Sequence, residues 1–166
     1  MKGISKLRGK PVSVEIFLEY EDKNPTETEI VKKEYEPKAG TEVKAWIHPM
    51  DDDDAFDVEA VGMEAFRTFR ERGAEDLDAN WKAERVKGCQ QVFYCVRVSE
   101  ALDSKRLFET TGEVIDIPYP EIQKILMKYN ENFVPTVEER KNSLRARIGN
   151  GSKTESSSPN TSKAGD

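Results

Sequence analysis

The sequence predicts an α+β fold, with a small N-terminal antiparallel sheet followed by a bundle of about four helices and a disordered C-terminal tail. Three observations support this prediction. Apolar and polar residues alternate along the first third of the chain, between turn signals. From about residue 62 the apolar residues recur at helical spacing. Residues 149–166 carry almost no apolar side chains, which predicts the tail.

Four segments read as strands because their apolar residues alternate with polar ones. The clearest has an apolar residue at every second position from Val12 to Leu18. The segments are Val12–Asp22, Glu29–Pro37, Glu42–Pro49 and Ala55–Val61. Short strands separated by turns pair into a small antiparallel sheet.

Four further segments read as helices: Gly62–Gly73, Asp76–Leu102, Pro118–Phe133 and Pro135–Gly151. Gly73 can supply a left-handed stop, and Thr136 with Glu139 forms a capping box. The second helix carries an apolar stripe of Trp81, Val86, Cys89, Val92, Phe93 and Val96. Its residues 89–98 are rich in β-branched and aromatic side chains, so whether they form helix or strand stays open.

Composition indicates a single domain over residues 1–148 with the disordered tail over 149–166. Residues 11–64 hold sixteen acids against five bases, a net charge of −11. Such a segment repels phosphate, so no nucleic-acid partner is expected. The basic residues of the last predicted helix do not form a dense stripe and lack interleaved aromatic residues, so they do not change that expectation.

Other composition features indicate a soluble cytoplasmic protein. The sequence lacks a run of the roughly 20 apolar residues that would cross a bilayer, so no membrane contact is expected. The basic start has no apolar block behind it, unlike a secretory signal. Cys89 and Cys95 are spaced so that neither helix nor strand would bring them into disulfide contact, and we expect both to be reduced.

The run Asp51–Asp54 is the strongest candidate in the sequence for a metal site. An EF-hand loop needs glycine at its sixth position and glutamate at its twelfth, and neither register of the run provides them. We interpret the run as a solvated turn between two strands, with a weak cation site or a basic-partner contact as the alternatives.

The remaining motifs do not favour catalysis. His48 is the single histidine, and no Cys/His cluster has metal-ligand spacing. The sequence has no phosphate-binding glycine loop and no nucleophile elbow. We therefore expect a protein that is not an enzyme and needs neither cofactor nor metal, with His48 in a structural or exposed position.

The order of elements from Val43 to Phe133 resembles the tail assembly chaperones of long-tailed bacteriophages. The resemblance follows the stretches "VEAVGMEAFRTFRERG", "VFYCVRVSEALDSKRLFE" and "TTGEVIDIPYPEIQKIL", and then "EIQKILMKYNENF". The Leu-Phe pair of that pattern is Leu107-Phe108 here.

This resemblance implies a non-enzymatic role in tail assembly, in the cytoplasm of an infected host cell. The implied protein partners are the tape measure protein and the tail tube subunit. Coating such a client requires amphipathic helices that cover its apolar faces. The candidate partner-binding residues on the predicted stripes are Trp81, Phe93, Ile122, Leu126 and Tyr129; simple core packing is the alternative for each.

Two other functions stay open from the sequence. A structural or connector subunit of a virion would fit the small sheet and charged surface. An acidic inhibitor that mimics DNA would fit the −11 segment. The sequence does not identify the client, the role of the tail, whether the chain forms a homo-oligomer, or whether it remains in a mature particle.

Overall fold

A computed structural model describes residues 9–135, 138–142, 144–146 and 148. The chain divides into two units, Met1–Phe133 and Val134–Asp166. In the second unit, residues 138–142, 144–146 and 148 are helical, within the predicted helix Pro135–Gly151. Thr136 of the capping box and the predicted tail lie outside the described residues, and the predicted domain over 1–148 stays a prediction.

The first unit is an α+β fold, as predicted, with a small antiparallel sheet and helices packed against it. Its strands are β1 (Val12–Phe17), β2 (Tyr20–Asp22), β3 (Tyr35–Pro37), β4 (Glu42–Ile47) and β5 (Val96–Arg97). Its helices are α1 (Asp52–Glu71), α2 (Asp76–Cys95), α3 (Thr111–Ile115) and α4 (Tyr119–Phe133), with a 3-10 turn at Ile30–Lys32.

The main sheet has the strand order β1-β4-β5, and every pair is antiparallel. Val14 lies opposite Ala45, and Val12 lies opposite Ile47. The period of two along each strand places Val14, Ile16, Ala45 and Ile47 on one face, and all four are buried. The predicted alternation is therefore confirmed over Val12–Phe17 and Glu42–Ile47. The predicted first strand Val12–Asp22 is interrupted after Phe17, and Leu18, which the alternation placed on the same face, is 38% exposed.

Strands β2 and β3 form a separate two-stranded sheet, called the ribbon below (residues 19–38). The predicted strand Glu29–Pro37 is only partly correct, because Ile30–Lys32 is a 3-10 turn and pairing begins at Tyr35. Ion pairs hold the ribbon together, including Lys33 with Asp22 at 2.7 Å.

The core joins the inner face of the sheet to α2, α3 and α4. Its largest fully buried side chains include Ile16, Ile47, Val92, Val114 and Ile125. The predicted helix Pro118–Phe133 is confirmed as α4, which buries Ile122, Ile125 and Tyr129 at the predicted spacing.

The predicted strand Ala55–Val61 is wrong, because these residues belong to α1. The preceding aspartates are a helix start: the Asp51 side chain accepts a hydrogen bond from the Asp54 backbone amide at 2.7 Å. Three more aspartates fill the first turn, where negative charge is favourable. The interpretation of Asp51–Asp54 as a turn between strands is therefore corrected to a helix N-terminus.

Residues 89–98 contain both a helix and a strand, the two alternatives that the sequence left open. Helix α2 continues to Cys95, and Val96–Arg97 then pairs with β4 as an edge strand. The fourth strand of the predicted sheet is thus replaced by this two-residue strand after α2.

Helix α4 also contacts the free edge of β1. At one end of the strand, Glu121 Oε1 accepts a hydrogen bond from the Phe17 backbone amide at 2.7 Å. At the other end, Lys128 Nζ donates to the Ser13 carbonyl oxygen at 3.3 Å. Charged side chains of one helix therefore engage main-chain groups at both ends of an edge strand.

Candidate protein-binding surface

Helices α1 and α2 form an antiparallel helical hairpin. The turn between them contains Gly73 with a φ of 97°, a left-handed conformation that glycine adopts without strain. The Ala74 amide donates to the Phe69 carbonyl oxygen at 3.0 Å and closes the turn. The predicted glycine stop of the first helix is confirmed.

Small residues line the seam between the two helices. The buried residues are Val58 and Gly62 from α1, and Ala79 and Ala83 from α2. A Cβ on Gly62 would lie 3.2 Å from Lys87 Cδ, so this glycine gives the lysine side chain room to cross α1. Because the seam is narrow, the larger apolar side chains of both helices stay outside it.

Large apolar residues instead lie on one side of the hairpin. Met63 and Phe66 line a groove of about 320 Å³ together with Ala83 and Glu84 of α2. Leu77 and Trp81 precede Glu84 by seven and three positions, so they share its side of α2.

Phe56 precedes Met63 by seven positions and extends the same side of α1. We call this surface the hairpin face: Phe56, Met63, Phe66, Leu77 and Trp81. Leu77 is 83% exposed, Phe56 77%, Met63 73% and Trp81 53%. A side chain of this size is seldom so exposed in a cluster unless it contacts a partner.

Two ion pairs lie near the groove, whereas Glu84, which also lines it, forms no ion pair with the described residues. Lys87 Nζ lies 2.8 Å from Glu59 Oε1 and ties the two helices together across the seam. At the tip, Arg70 Nε lies 2.8 Å from Asp76 Oδ1. The hairpin face therefore presents apolar surface beside two paired sets of charges and the carboxylate of Glu84, which suits a largely apolar ligand surface.

The structure does not bring the five predicted partner-binding residues together. Ile122 and Tyr129 are 2% and 8% exposed and belong to the core, so they offer no surface to a partner in this fold. Leu126 is half-buried beside Gly88, whose Cβ position would lie 3.0 Å from Leu126 Cδ1.

Phe93 is half-buried under the Arg106 guanidinium, whose carbon lies 4.8 Å from the ring centre. Trp81 alone of the five belongs to the hairpin face. Its ring contacts the Arg85 guanidinium at 5.4 Å, and the same guanidinium lies 4.5 Å from the Tyr119 ring centre.

Sequence reasoning missed Phe56, Met63 and Leu77 as surface residues. Phe56 lies in the predicted strand Ala55–Val61 and Met63 in the predicted helix Gly62–Gly73, and neither is among the candidate partner-binding residues. Small residues in the sequence could have indicated that these side chains lie on the surface. Gly62, Ala79 and Ala83 occur at spacings that favour a narrow seam between two helices, which leaves no room there for large side chains. Leu77 and Trp81, four residues apart, also share the side of α2 that carries Glu84 of the groove.

A cluster of hydrogen-bonded polar side chains lies near the N-terminus of α1. Asp57 accepts hydrogen bonds from the Tyr94 hydroxyl and from Gln90 Nε2, the latter at 3.3 Å. The hydrogen bond to Asp57 raises the pKa of Tyr94, as does burial. Burial and the neighbouring Asp51 carboxylate raise the pKa of Asp54, although Arg106 lies 3.9 Å away. These contacts tie α1 to α2 and to the following loop.

The remaining reactive groups are held in inert states. Burial raises the pKa of Cys95 to about 12 and also raises that of Cys89, so both thiols stay protonated near neutral pH. His48 is 3% exposed, and its Nε2 lies 2.7 Å from the Ser99 carbonyl oxygen, a structural position. In the part of the chain that the structure describes, no group of three or more His, Cys, Asp or Glu side chains could hold a metal ion.

Comparisons with known proteins do not assign a family. No protein-family model matches the chain, and searches of curated proteins and of solved structures returned no match. Among the described helices, none combines the length and apolar character needed to span a membrane.

Proposed function

We propose that this protein is a non-enzymatic assembly factor that binds an apolar helical partner through its hairpin face. The observation that supports this proposal is the exposure of Phe56, Met63, Leu77 and Trp81 on the helical hairpin, where Met63 lines the groove between the two helices. Covering a side chain of this size stabilises a complex by roughly 1.5–3 kcal/mol before the costs of association. A cluster of them supplies a sufficient centre for a specific interface.

The shape of the hairpin face favours a helix as the ligand. A groove between two antiparallel helices accepts the apolar face of a third helix, with side chains at positions i, i+3, i+4 and i+7. The groove is lined by both helices, and two of its three charged residues, Glu59 and Lys87, pair with each other. Burial of apolar surface would therefore dominate recognition.

Within this class we propose a bacteriophage tail assembly chaperone whose client is the tape measure protein. The resemblance over Val43–Phe133 supports this choice, and a long helical client would offer the apolar helix faces that the hairpin face requires. The tail tube subunit is the second proposed partner.

Co-expression with a tape measure protein tests the proposal. We expect the soluble fraction of the client to rise with the wild-type chain and to fall when Met63→Glu and Leu77→Glu are combined. The matched control combines Leu102→Glu and Ile115→Glu, which charge two residues that are 84% and 65% exposed outside the hairpin. Equal client solubility with and without the wild-type chain would contradict the chaperone function.

The same experiment separates the function from the surface assigned to it. If both double variants retain the wild-type effect on client solubility, the hairpin face is not the contact surface. Mass spectrometry of purified particles then distinguishes a chaperone, which leaves the particle, from a structural subunit, which stays in it.

A further inference from the structure

A second surface lies where the ribbon meets the turn between α3 and α4. It is an open cleft of about 700 Å³, lined by Leu18, Tyr20, Tyr35, Pro118 and Pro120. Its volume lies within the range of small-ligand sites in proteins. Its walls are aromatic rings and proline rings, and they come from elements that do not contribute to the hairpin face.

One wall of the cleft, formed by Tyr20 and the two prolines, is held in place before any ligand arrives. The Tyr20 hydroxyl donates to Glu121 Oε2 at 3.1 Å, and Glu121 itself is 3% exposed. The ring of each proline fixes its own φ angle. A wall that is already ordered loses little conformational entropy when it binds.

Negative charge surrounds the cleft. Glu19 and Asp116 lie among its lining residues. Glu19 contacts Lys38 at 3.4 Å, whereas Asp116 forms no ion pair and no side-chain hydrogen bond with the rest of the described chain. The ribbon, residues 19–38, carries seven acids against four bases. The cleft therefore attracts cations and repels phosphate groups and anionic lipid.

The chain already pairs arginine with aromatic rings at two other places. The Arg85 guanidinium lies 4.5 Å from the Tyr119 ring centre, and the Arg106 guanidinium lies 4.6 Å from that of Tyr94. A planar guanidinium can stack on a ring and still donate hydrogen bonds in its plane to a carboxylate, which an ammonium group does less well.

We propose that this cleft binds an arginine side chain of a protein partner. The guanidinium stacks on Tyr35, which is 59% exposed, and donates to the Asp116 carboxylate, while Pro118 and Leu18 contact the aliphatic stem. This site is independent of the hairpin face, and it gives the protein a charge-selective contact in addition to the apolar contact proposed for that face.

A titration of the full chain followed by ¹H–¹⁵N NMR tests the site. The probe is the acetylated, amidated tripeptide Gly-Arg-Gly, with Gly-citrulline-Gly as an uncharged probe of the same shape. We expect the arginine peptide to shift the amide signals of Tyr20, Tyr35 and Asp116, with a dissociation constant on the order of 1 mM. Equal shifts from the citrulline peptide, or shifts confined to other residues, would overturn the proposal.

Two variants define the contacts. Asp116→Asn and Tyr35→Leu should each weaken binding of the arginine peptide by about five- to tenfold. Asp103→Asn, which removes an exposed acid outside the cleft, is the matched control and should leave binding unchanged. If Asp103→Asn weakens binding as much as Asp116→Asn does, the effect is one of net charge and the site is refuted.

This outcome can be separated from that of the proposed function. Asp116→Asn should leave the hairpin-dependent solubility of a co-expressed client unchanged, since Asp116 does not lie on the hairpin face. Loss of arginine-peptide binding together with unchanged client solubility supports two independent sites.

Discussion

At the scale of single residues, Glu121 has the largest structural role of any charged side chain described above. It is 3% exposed and accepts hydrogen bonds from the Phe17 amide, the Tyr20 hydroxyl and Lys124 Nζ, the last at 2.9 Å. A buried carboxylate is tolerated when its oxygens are satisfied in this way. One side chain thereby fixes α4 against both β1 and β2.

Replacing Glu121 by alanine should destabilise the fold by about 1–3 kcal/mol, because the Phe17 amide loses its acceptor at a part-buried position. The Glu121→Gln variant keeps an acceptor oxygen, so its stability should fall less than that of the alanine variant. Urea denaturation followed by far-UV circular dichroism measures both. Glu64→Ala, at an exposed position of α1, is the control and should change stability little. Equal losses for the alanine and glutamine variants would contradict this account.

The two thiols give a pH-dependent prediction. Burial raises the pKa of Cys95 from 9.0 to about 12, and only the thiolate reacts with iodoacetamide. In a Cys89→Ala variant, the native protein should therefore resist labelling near pH 8, and its unfolded form in denaturant should be labelled readily. Mass spectrometry of timed samples provides the measurement, and equal rates in the two states would show that Cys95 is accessible.

At the scale of elements, α1 begins where its charges favour a helix start. The Asp51 carboxylate caps the helix, and Asp52, Asp53 and Asp54 face the positive end of its dipole. The like charges that repel each other in a loop are thus stabilised by the amides of the first turn.

Asp51→Ala should therefore cost about 0.5–2 kcal/mol through loss of the cap. Asp51→Ser retains a capping oxygen and should preserve most of the stability while removing one charge. Thermal unfolding of the three proteins at equal ionic strength makes the comparison. If serine is as destabilising as alanine, then charge rather than capping is what matters at this position.

The elements that the sequence predicts well are those with long, regular patterns. Alternation identified β1 and β4, and helical spacing identified α4 with its buried Ile122 and Ile125. Alternation failed at Ala55–Val61 because these residues belong to α1, in which Val58 is buried while Phe56 and Ala60 are exposed. The capping residue Asp51 was the better signal. The two-residue strand β5 had no pattern of its own, since pairing with β4 determines it.

The candidate site was less predictable for a related reason. The apolar stripe from Trp81 to Val96 suggested one continuous buried face, but the buried face of α2 changes direction along its length. Ala79 and Ala83 face α1, while Val92 and Cys95 face the core. Which helix packs against which side is a tertiary property, and a single sequence does not reveal it.

At the scale of the whole molecule, the first unit contains a complete core. Every member of the main hydrophobic cluster lies between Val14 and Tyr129. A chain that ends after Phe133 should therefore unfold cooperatively, with a melting temperature within about 4 °C of the full chain, the shift expected for roughly 1 kcal/mol in a domain of this size.

Differential scanning calorimetry of the two chains checks this expectation. A broad, non-cooperative transition for the shorter chain would show that residues beyond 133 contribute to the core, as the predicted domain over 1–148 implies. The second unit should then be counted as part of the same folding unit.

The side chains of α4 at the two ends of β1 have a consequence for how this protein assembles with others. An open strand invites the backbone of a neighbouring molecule to extend the sheet, a route to fibrous aggregates. Here Glu121 and Lys128 already engage main-chain groups there, and β1 is further bordered by a helix. Strand addition at this edge of the main sheet is therefore obstructed, although several large apolar side chains of the hairpin are exposed.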